Sequence, residues 1–405
     1  MAMSRYSTQV TEIPTRSNLP KEAESNPHHV LKKGSQHHIV GFKNPYPSYA
    51  PPNIWAYVLK PMLTRKLKFP DTKPPTVPVV KPEWLPSRFS HQSSDQIRAT
   101  WLGHACYYIE FPSGLRVLFD PVFDTSCSPW FAKLFGPRRF TERPCDIKDI
   151  PAVDAVIISH SHYDHLSSSS LRELRRCHPH AQYFVGLGLK DWFQRKDFRN
   201  VTELDWWQDA DLTVKVPNDA DKTETTVTAR ISCLPSQHNS ARGLFDRDQT
   251  LWCSWAVRSG SRSVWFGGDT GYRAVPQVPE GKDDWGPDYE SLPRNPQFRQ
   301  IGQLRGPFDL GLIPIGAYAP RAAFSGMHAN PFDAVEIFRD TQCRRAMGIH
   351  WGTWALTTEE VMEPPRLLRE ALRRANIPEV GCFDTCNIGE SREFGGARRG
   401  EGEAS

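Results

Sequence analysis

The sequence predicts an α/β protein in which two sheets pack face to face, with helices on the outside. Two observations lead to this fold class. Strand-like segments occur in groups with helices only at intervals, which disfavours the strict alternation of a doubly wound parallel sheet. In addition, a cluster of three histidines and one aspartate follows a short apolar strand, Asp154 to Ile158, and indicates a functional site at the end of that strand.

The composition of the chain is that of a soluble globular protein, with 39% hydrophobic and 24% charged residues among 405. A net charge of +4 over this length is too small to indicate a nucleic-acid partner. Nine scattered cysteines, an odd number without a signal peptide, favour reduced thiols in an intracellular compartment. No apolar run is long enough for a membrane-spanning helix.

Residues 1–40 are polar and lack an apolar period, so they are predicted to be a disordered tail. Their arginines, lysines and serines give a weak indication of mitochondrial targeting, which several glutamates weaken because transit peptides are poor in acidic residues. Two histidine pairs in this tail, His28-His29 and His37-His38, are more simply explained by chance than by metal binding.

Prolines dominate residues 41–98, which predicts an extended arm wrapped on a folded domain. Within this arm, residues 54–69 interleave aromatic and aliphatic side chains with four basic ones, Lys60, Arg65, Lys66 and Lys68. Such a pattern suits a peripheral membrane contact, with apolar side chains toward lipid and basic ones toward phosphate headgroups. An arm that packs on the domain and leaves its basic face in water explains the segment equally well.

The folded catalytic domain is predicted at residues 99–392. Ser170 to Glu173 read as a capping box that begins a helix. Residues 273–306, with many prolines and charges, are predicted to be a surface insertion, and residues 393–405 a disordered tail. The other predicted elements are strands at Ala99 to Phe111, Leu115 to Asp120, Gln182 to Gly186, Thr225 to Leu234, Leu251 to Val257, Ser263 to Phe266, Leu310 to Ile315 and Ala346 to Ile349, and helices at Pro331 to Asp340 and Pro364 to Ala375.

Candidate metal ligands concentrate just after apolar strands. Imidazole and carboxylate groups hold zinc, iron or manganese, and a loop at a strand end lets alternate side chains converge on one point. Five histidines and two aspartates would suit two ions, bridged by one aspartate and a water. The seven candidates are His160, His162, Asp164 and His165 in one loop, and His238, Asp269 and His350 after three later strands.

This ligand series resembles that of the metallo-β-lactamase superfamily, whose fold is a four-layer αββα sandwich with the metal site at one edge. Further ordered motifs narrow the resemblance to the N-acylphosphatidylethanolamine-hydrolysing phospholipase D family, over roughly Gly41 to Arg392. These motifs include Thr100-Trp-Leu-Gly-His-Ala105, Phe135-Gly-Pro, Glu203-Leu-Asp-Trp-Trp207, Pro235-Ser-Gln-His238, Gly268-Asp-Thr-Gly-Tyr272, Ile313-Pro-Ile-Gly-Ala-Tyr318 and Ile349-His-Trp-Gly-Thr353.

The resemblance implies hydrolysis of N-acylphosphatidylethanolamine to N-acylethanolamine and phosphatidic acid, by attack of a metal-bridging hydroxide on phosphorus. It also implies two zinc ions, although another divalent metal would suit the same ligands. The ligands divide into His160, His162 and His238 for one ion, Asp164, His165 and His350 for the other, and Asp269 for both.

Further residues receive roles from the same comparison. Asp164 is expected to take the proton of the attacking water, and His328 to hydrogen-bond a phosphate oxygen or the leaving group. Met327 departs from the family, which has a glutamine before this histidine, so the substrate contacts at this position are open. His104 is expected either to support the site or to belong to the core.

Other functions would use the same ligands, because fold and metals do not set the substrate. A lactonase, a phosphodiesterase or a nuclease is the main alternative, and a non-catalytic membrane-bound scaffold is a weaker one. The expected partners are a phospholipid substrate and a membrane surface contacted peripherally inside the cell, with no nucleic acid. A homodimer is left open.

Overall fold

Two mixed β-sheets carry the chain in the computed structural model, which describes residues 6–64, 68–90, 93–129, 136–218, 223–243, 245–279 and 281–395. The strands are β1 Ser7–Ile13, β2 His29–Leu31, β3 Ile39–Phe42, β4 Gln96–Gly103, β5 Cys106–Glu110, β6 Arg116–Phe119, β7 Ala155–Ile157, β8 Gln182–Gly186, β9 Val201–Leu204, β10 Asp209–Asn218, β11 Thr223–Leu234, β12 Ser254–Ser259, β13 Arg262–Phe266, β14 Leu310–Pro314, β15 Ala346–Ile349, β16 Phe383–Asp384 and β17 Ser391–Gly395.

The helices lie between these strands and, for the most part, outside the sheets. They are α1 Lys60–Leu63, which continues a π-helical turn at Trp55–Leu59, α2 Ser168–Cys177, α3 Lys190–Gln194, α4 Gln297–Arg305, α5 Arg321–Phe324, α6 Pro331–Asp340 and α7 Glu363–Arg374. None of the helices in the described part of the chain combines the length and hydrophobicity needed to traverse a bilayer.

One sheet has eight strands in the order β1-β10-β11-β12-β13-β14-β15-β16, and the other has seven in the order β17-β4-β5-β6-β7-β8-β9. In each sheet an antiparallel half adjoins a parallel half, β13 to β16 in the first and β6 to β9 in the second. The carboxyl ends of parallel strands meet at one edge, so each sheet brings several loops together there.

The sheets bury their facing sides against each other. Alternation along β6 shows this, since Val117 and Phe119 join the larger apolar cluster while Leu118 joins a second cluster under α2 and α3. The rings of Phe119 and Phe266, from different sheets, lie 4.6 Å apart. The predicted two-sheet sandwich with outer helices is therefore confirmed.

The prediction that residues 1–40 form a disordered tail is wrong for the residues described. β1 pairs along its whole length with β10 at an edge of the eight-stranded sheet, with Val10 opposite Leu212, and β2 pairs with β3. An edge strand gains its backbone hydrogen bonds from one neighbour and needs only a half-buried row of side chains. In β1 the side chains are either exposed or half-buried. The strand therefore shows no apolar period in the sequence.

Several predicted boundaries also move. The domain begins with β4, three residues before Ala99. The predicted single strand Ala99 to Phe111 is two antiparallel strands, β4 and β5, joined by a turn at His104 and Ala105. Residues 393–395 of the predicted disordered tail belong to β17, and residues 396–405 lie outside the described part. The insertion at 273–306 contains α4 and is not mere surface decoration, because Phe298 and Ile301 are buried in the core.

The helix α2 begins earlier than its predicted capping box. Ser167 is the capping residue, and its hydroxyl accepts the backbone N–H of Ser170 at 3.1 Å. All nine cysteines are free thiols, in agreement with the prediction of a reduced chain.

Candidate metal centre

The loop that follows β7 places four polar side chains at the edge of the seven-stranded sheet. The backbone turns back on itself here, since the N–H groups of His165 and Leu166 both donate to the carbonyl of His162, at 3.2 and 2.8 Å. The turn ends at the Ser167 cap of α2. His160 and His165 are 1% and 0% exposed, so their rings face the protein and not water.

The eight-stranded sheet contributes the remaining groups from the ends of three strands. His238 follows β11, Asp269 follows β13 and His350 follows β15, with β13 and β15 on either side of β14 in the parallel half. All three residues are buried. The sandwich brings this edge opposite the β7 loop, so residues far apart in the chain meet.

All seven predicted ligands come together, and they form two groups. In the first, His162 Nδ1 lies 2.9 Å from His160 Nε2 and 3.2 Å from His238 Nε2. In the second, Asp164 Oδ2 lies 3.4 Å from both His165 Nε2 and His350 Nε2. Each group thus presents three side chains whose ligand atoms converge on a small volume.

Asp269 lies between the two groups. Its Oδ2 is 3.0 Å from His350 Nε2 and 3.6 Å from His238 Nε2, and its Oδ1 is 3.2 Å from His165 Nε2. The preceding Gly268 allows this approach: it adopts φ 58°, and a Cβ there would lie 2.6 Å from the Cβ of Ser159, next to the β7 loop. Asp269 is therefore placed to contact ions held by either group.

These atoms fit metal ions better than they fit each other. His165 Nε2, His350 Nε2 and Asp269 Oδ1 are buried and have no hydrogen-bond partner in the described part of the protein. Buried polar atoms rarely stay unpartnered, and here several of them face one another. These residues are therefore suited to bind a cation, and imidazole and carboxylate are the ligands of zinc and similar divalent metals.

The opposite ring nitrogens are held in the tautomer that metal binding requires. His165 Nδ1–H donates to Asp120 Oδ2 at 2.6 Å, and His238 Nδ1–H donates to the carbonyl of Met327 at 3.0 Å. In each ring this leaves the Nε2 lone pair free to face the cluster. Met327, the departure from the family pattern, thus contributes its backbone to the site.

The protonation of the cluster follows from burial and charge. Burial holds the pKa of His160 and of His238 well below the ordinary value, so both rings are neutral. Burial alone would raise the pKa of Asp269, but His165 and His350 hold it well below its usual range. Burial alone would lower the pKa of His350, yet Asp269 and Asp164 raise it to about 9 in the metal-free protein.

His104 and His328 border the cluster. His104 Nε2–H donates to Asp164 Oδ2 at 3.0 Å, so the prediction of a supporting role is favoured over a plain core position. The His328 ring lies 5.0 Å from that of His238, and its Nδ1, 4.0 Å from Asp269 Oδ2, is buried without a hydrogen-bond partner among the described residues.

Two residues of the site went unnoticed in the sequence. Asp120, at the end of β6, accepts from His165 and from the Ser159 backbone N–H and hydroxyl. Arg242 donates to the carbonyls of Ser161 and Leu166 at 2.6 and 2.8 Å, and it stacks on Tyr163 with its Cζ 4.1 Å from the ring centre. The β7 loop is thus braced on both sides. An aspartate directly after an apolar strand was the available signal for Asp120.

The chain is similar in sequence to known proteins. Residues 115–283 match the model of the β-lactamase superfamily domain. The chain is similar to the N-acyl-phosphatidylethanolamine-hydrolyzing phospholipase D 1 of Caenorhabditis elegans, with 35% identity over 74% of this chain and 76% of that protein.

The mitochondrial N-acyl-phosphatidylethanolamine-hydrolyzing phospholipase D of Saccharomyces cerevisiae is 32% identical over 70% of this chain, a match that spans 56% of the yeast protein. A solved metallo hydrolase of Ignicoccus hospitalis is 16% identical over 74% of this chain and 99% of its own, with a TM-score of 0.45. From the residues of the centre and the extent of the first match, this metallo-hydrolase belongs to the N-acylphosphatidylethanolamine-hydrolysing phospholipase D family of the metallo-β-lactamase superfamily.

Proposed function

We propose that the protein hydrolyses N-acylphosphatidylethanolamine to N-acylethanolamine and phosphatidic acid. The observation that carries this proposal is the convergence of seven candidate ligands, five of them buried, at one edge of the sandwich, in a chain whose relatives bear this activity in their names. The bond to be cleaved joins phosphorus to the oxygen of the N-acylethanolamine group. Water supplies the hydroxyl that remains on the phosphatidic acid.

The centre would hold two zinc ions. His160, His162 and His238 would bind one ion, Asp164, His165 and His350 the other, and Asp269 would contact both. When bound, such a pair of ions supplies an activated water at neutral pH and offsets the charge that gathers on the phosphoryl oxygens.

Asp164 would accept the proton of the attacking water. Its contacts with His104, His165 and His350 all use Oδ2, and His165 is the main cause of a pKa held well below the ordinary value despite burial. The carboxylate is therefore ionised at neutral pH, and Oδ1 is the oxygen available to the proton.

His328 would donate a hydrogen bond to the phosphate or to the leaving oxygen. Burial lowers the pKa of this imidazole to about 4, so the ring is neutral at pH 7 and carries one N–H. Its Nδ1 has no hydrogen-bond partner among the described residues and lies at the rim of the ligand cluster, with the side chain 13% exposed. A neutral donor at that point stabilises charge on oxygen.

A helical segment near this site would bring the enzyme to its lipid. Trp55, Leu59, Met62 and Leu63 are exposed, Trp55 by 62% and Leu63 by 70%, and they recur at helical spacing. The segment packs beside α5, which leads to His328. Of the predicted membrane segment 54–69, residues 65–67 lie outside the described part. The exposed apolar face suits a peripheral contact with lipid.

The membrane contact has its own test. Replacing Leu59 and Leu63 by glutamate should reduce cosedimentation with phosphatidylethanolamine vesicles and leave hydrolysis of detergent-dispersed lipid intact. Val380→Glu, which changes another highly exposed apolar residue, is the matched control. Unchanged vesicle binding in the double variant would contradict the proposal.

The substrate is tested by incubating the zinc-loaded protein with a mixed lipid extract and following all species by mass spectrometry. We expect N-acylphosphatidylethanolamines to disappear while N-acylethanolamines and phosphatidic acids appear in equal amounts. Asp269→Asn serves as the inactive control. Loss of a different lipid class, or cleavage of a lactone or an oligonucleotide in parallel assays with no turnover of this lipid, would assign the centre to another substrate.

A further inference from the structure

We propose that His28, His29 and Asp205 form a further zinc site, separate from the catalytic centre, that fastens the N-terminal arm to the catalytic domain. His28 Nε2 lies 2.7 Å from Asp205 Oδ1, and His29 Nε2 lies 2.8 Å from Asp205 Oδ2. His28 and Asp205 are 2% and 6% exposed. Residues up to 177 positions apart in the chain therefore join two imidazoles and one carboxylate, with the His29 side chain 11% exposed and the other two buried.

The arrangement of the two rings is close to that of the catalytic ligands. The ring centres of His28 and His29 lie 4.4 Å apart at an interplanar angle of 64°. In the catalytic centre, His160 lies 4.6 Å from His162 at 83°, and 4.6 Å from His238 at 77°. Two inclined rings whose Nε2 atoms lie 2.7 and 2.8 Å from one carboxylate offer three ligands. Zinc accepts three protein ligands and completes its tetrahedron with water.

The surroundings hold these ligands in place. The ring of His28 stacks on Trp206 at 4.2 Å, and the backbone N–H of Trp206 donates to Asp205 Oδ1 at 2.8 Å. The guanidinium of nearby Arg16 donates to Asn26 Oδ1 at 2.7 Å and to the carbonyl of Trp206 at 3.4 Å. It is thus directed to these two oxygens and not to the Asp205 carboxylate. Fixed rings and an oriented carboxylate are what a metal site of this kind requires.

The site lies at the start of a segment that reaches the catalytic centre. After β3, Asn44 donates to the carbonyl of His238 at 2.7 Å, and the Ser48 hydroxyl donates to Gln237 at 2.6 Å. The arm thus supports the backbone of a catalytic ligand. A metal ion at His28 and His29 would hold the start of this arm against the domain. The attachment of the arm would then depend on zinc.

Metal content tests the proposal in the full-length protein. Asp269→Asn, which disrupts the catalytic centre, should retain about one zinc ion per chain after dialysis, and the same variant with His28→Gln and His29→Gln should retain none. Glutamine keeps an N–H that can donate to Asp205, so the variant preserves a hydrogen-bonded clamp while it removes the imidazole ligands. Circular dichroism confirms that both variants are folded.

Cobalt gives a second readout. Asp269→Asn loaded with Co²⁺ should show the visible absorption of a tetrahedral cobalt ion, and this absorption should vanish in the triple variant or in Asp205→Asn combined with Asp269→Asn. Equal metal content in Asp269→Asn and the triple variant, with no difference in cobalt absorption, would show that the three residues form only a hydrogen-bonded clamp and would overturn the proposal. The outcome is independent of whether the catalytic centre cleaves lipid.

Discussion

The two sheets build the candidate catalytic centre in different ways. The seven-stranded sheet supplies four groups from one loop of six residues, His160 to His165, while the eight-stranded sheet supplies three groups from the ends of three separate strands. The loop forms through local turns and the cap of α2, whereas the other half exists only once β11, β13 and β15 are in register. The first half is encoded locally, and the second is a product of the folded sheet.

The largest effect should come from the residue that joins the two halves. Asp269→Asn removes a carboxylate that contacts both ligand groups. We expect the variant to lose both proposed metals and more than about 100-fold in activity, because the loss of a residue that merely supports a metal ligand already lowers affinity or activity about 10–100-fold. Zinc analysis and lipid turnover check this. Full activity with two bound metals would show that the halves work without a shared ligand.

The contact between the halves can be broken sterically at Gly268. Gly268→Ala places a Cβ against Ser159 and forces φ 58° on an alanine, so it should lower the free energy of unfolding by about 2–5 kcal/mol. Gly34→Ala is the matched control, because Gly34 has φ 81° and no atom near its Cβ position. Denaturant unfolding measures both. Equal losses would mean that backbone strain alone accounts for the effect.

The loop half depends on support that the sequence did not reveal. Asp120→Asn weakens the acceptor of the His165 Nδ1–H, and we expect zinc affinity to fall about 10–100-fold with little change in secondary structure. Asp124→Asn is the control, since Asp124 accepts hydrogen bonds from Ser167 and Ser169 in the same region. Competition with a chelator measures the affinity. An unchanged affinity in Asp120→Asn would show that the loop orients His165 by itself.

The smallest effect should be the pH dependence of stability, which arises because His350 in one half interacts with Asp164 in the other. The pKa of His350 is raised from 6.5 to about 9 in the metal-free protein, so its proton stabilises the fold below pH 6.5 and this contribution is lost as the pH rises through 9. Zinc must displace the same proton, so zinc affinity should rise over this range.

Thermal melting with chelator and with zinc, from pH 6.5 to 9, separates these opposite slopes. As the pH rises, the melting temperature of the metal-free protein should fall. The difference in melting temperature between the zinc-loaded and the metal-free protein should increase. His350→Gln is the control, because glutamine has no proton to lose in this range. A metal-free protein whose melting does not depend on pH would contradict the prediction.

The same contrast explains how much the sequence could predict. β8, β15 and α6 have the predicted bounds, because a buried strand or an amphipathic helix with a Pro start carries its own signal. The seven candidate ligands could be predicted because each lies after an apolar strand. Asp120 also follows one, but its role depends on the parallel pairing of β6 with β7, and no local pattern shows that pairing.

The N-terminal region shows the limit most clearly. Its polar sequence predicted disorder, yet β1 completes a sheet and His28 and His29 lie beside Asp205. Hydrogen bonds to a partner strand and to a distant carboxylate replace the apolar period on which sequence reasoning depends. Such elements become visible only when their partners, β10 and the loop after β9, are placed.

The position of β1 has a consequence for handling the protein. Residues 7–13 cover one edge of the ten-residue strand β10. A preparation that trims the chain before residue 14 would leave a long row of unpaired backbone groups open to water, and such rows recruit strands from other molecules. The first strand therefore protects the protein from self-association, and shortened versions of the chain should aggregate before they lose their fold.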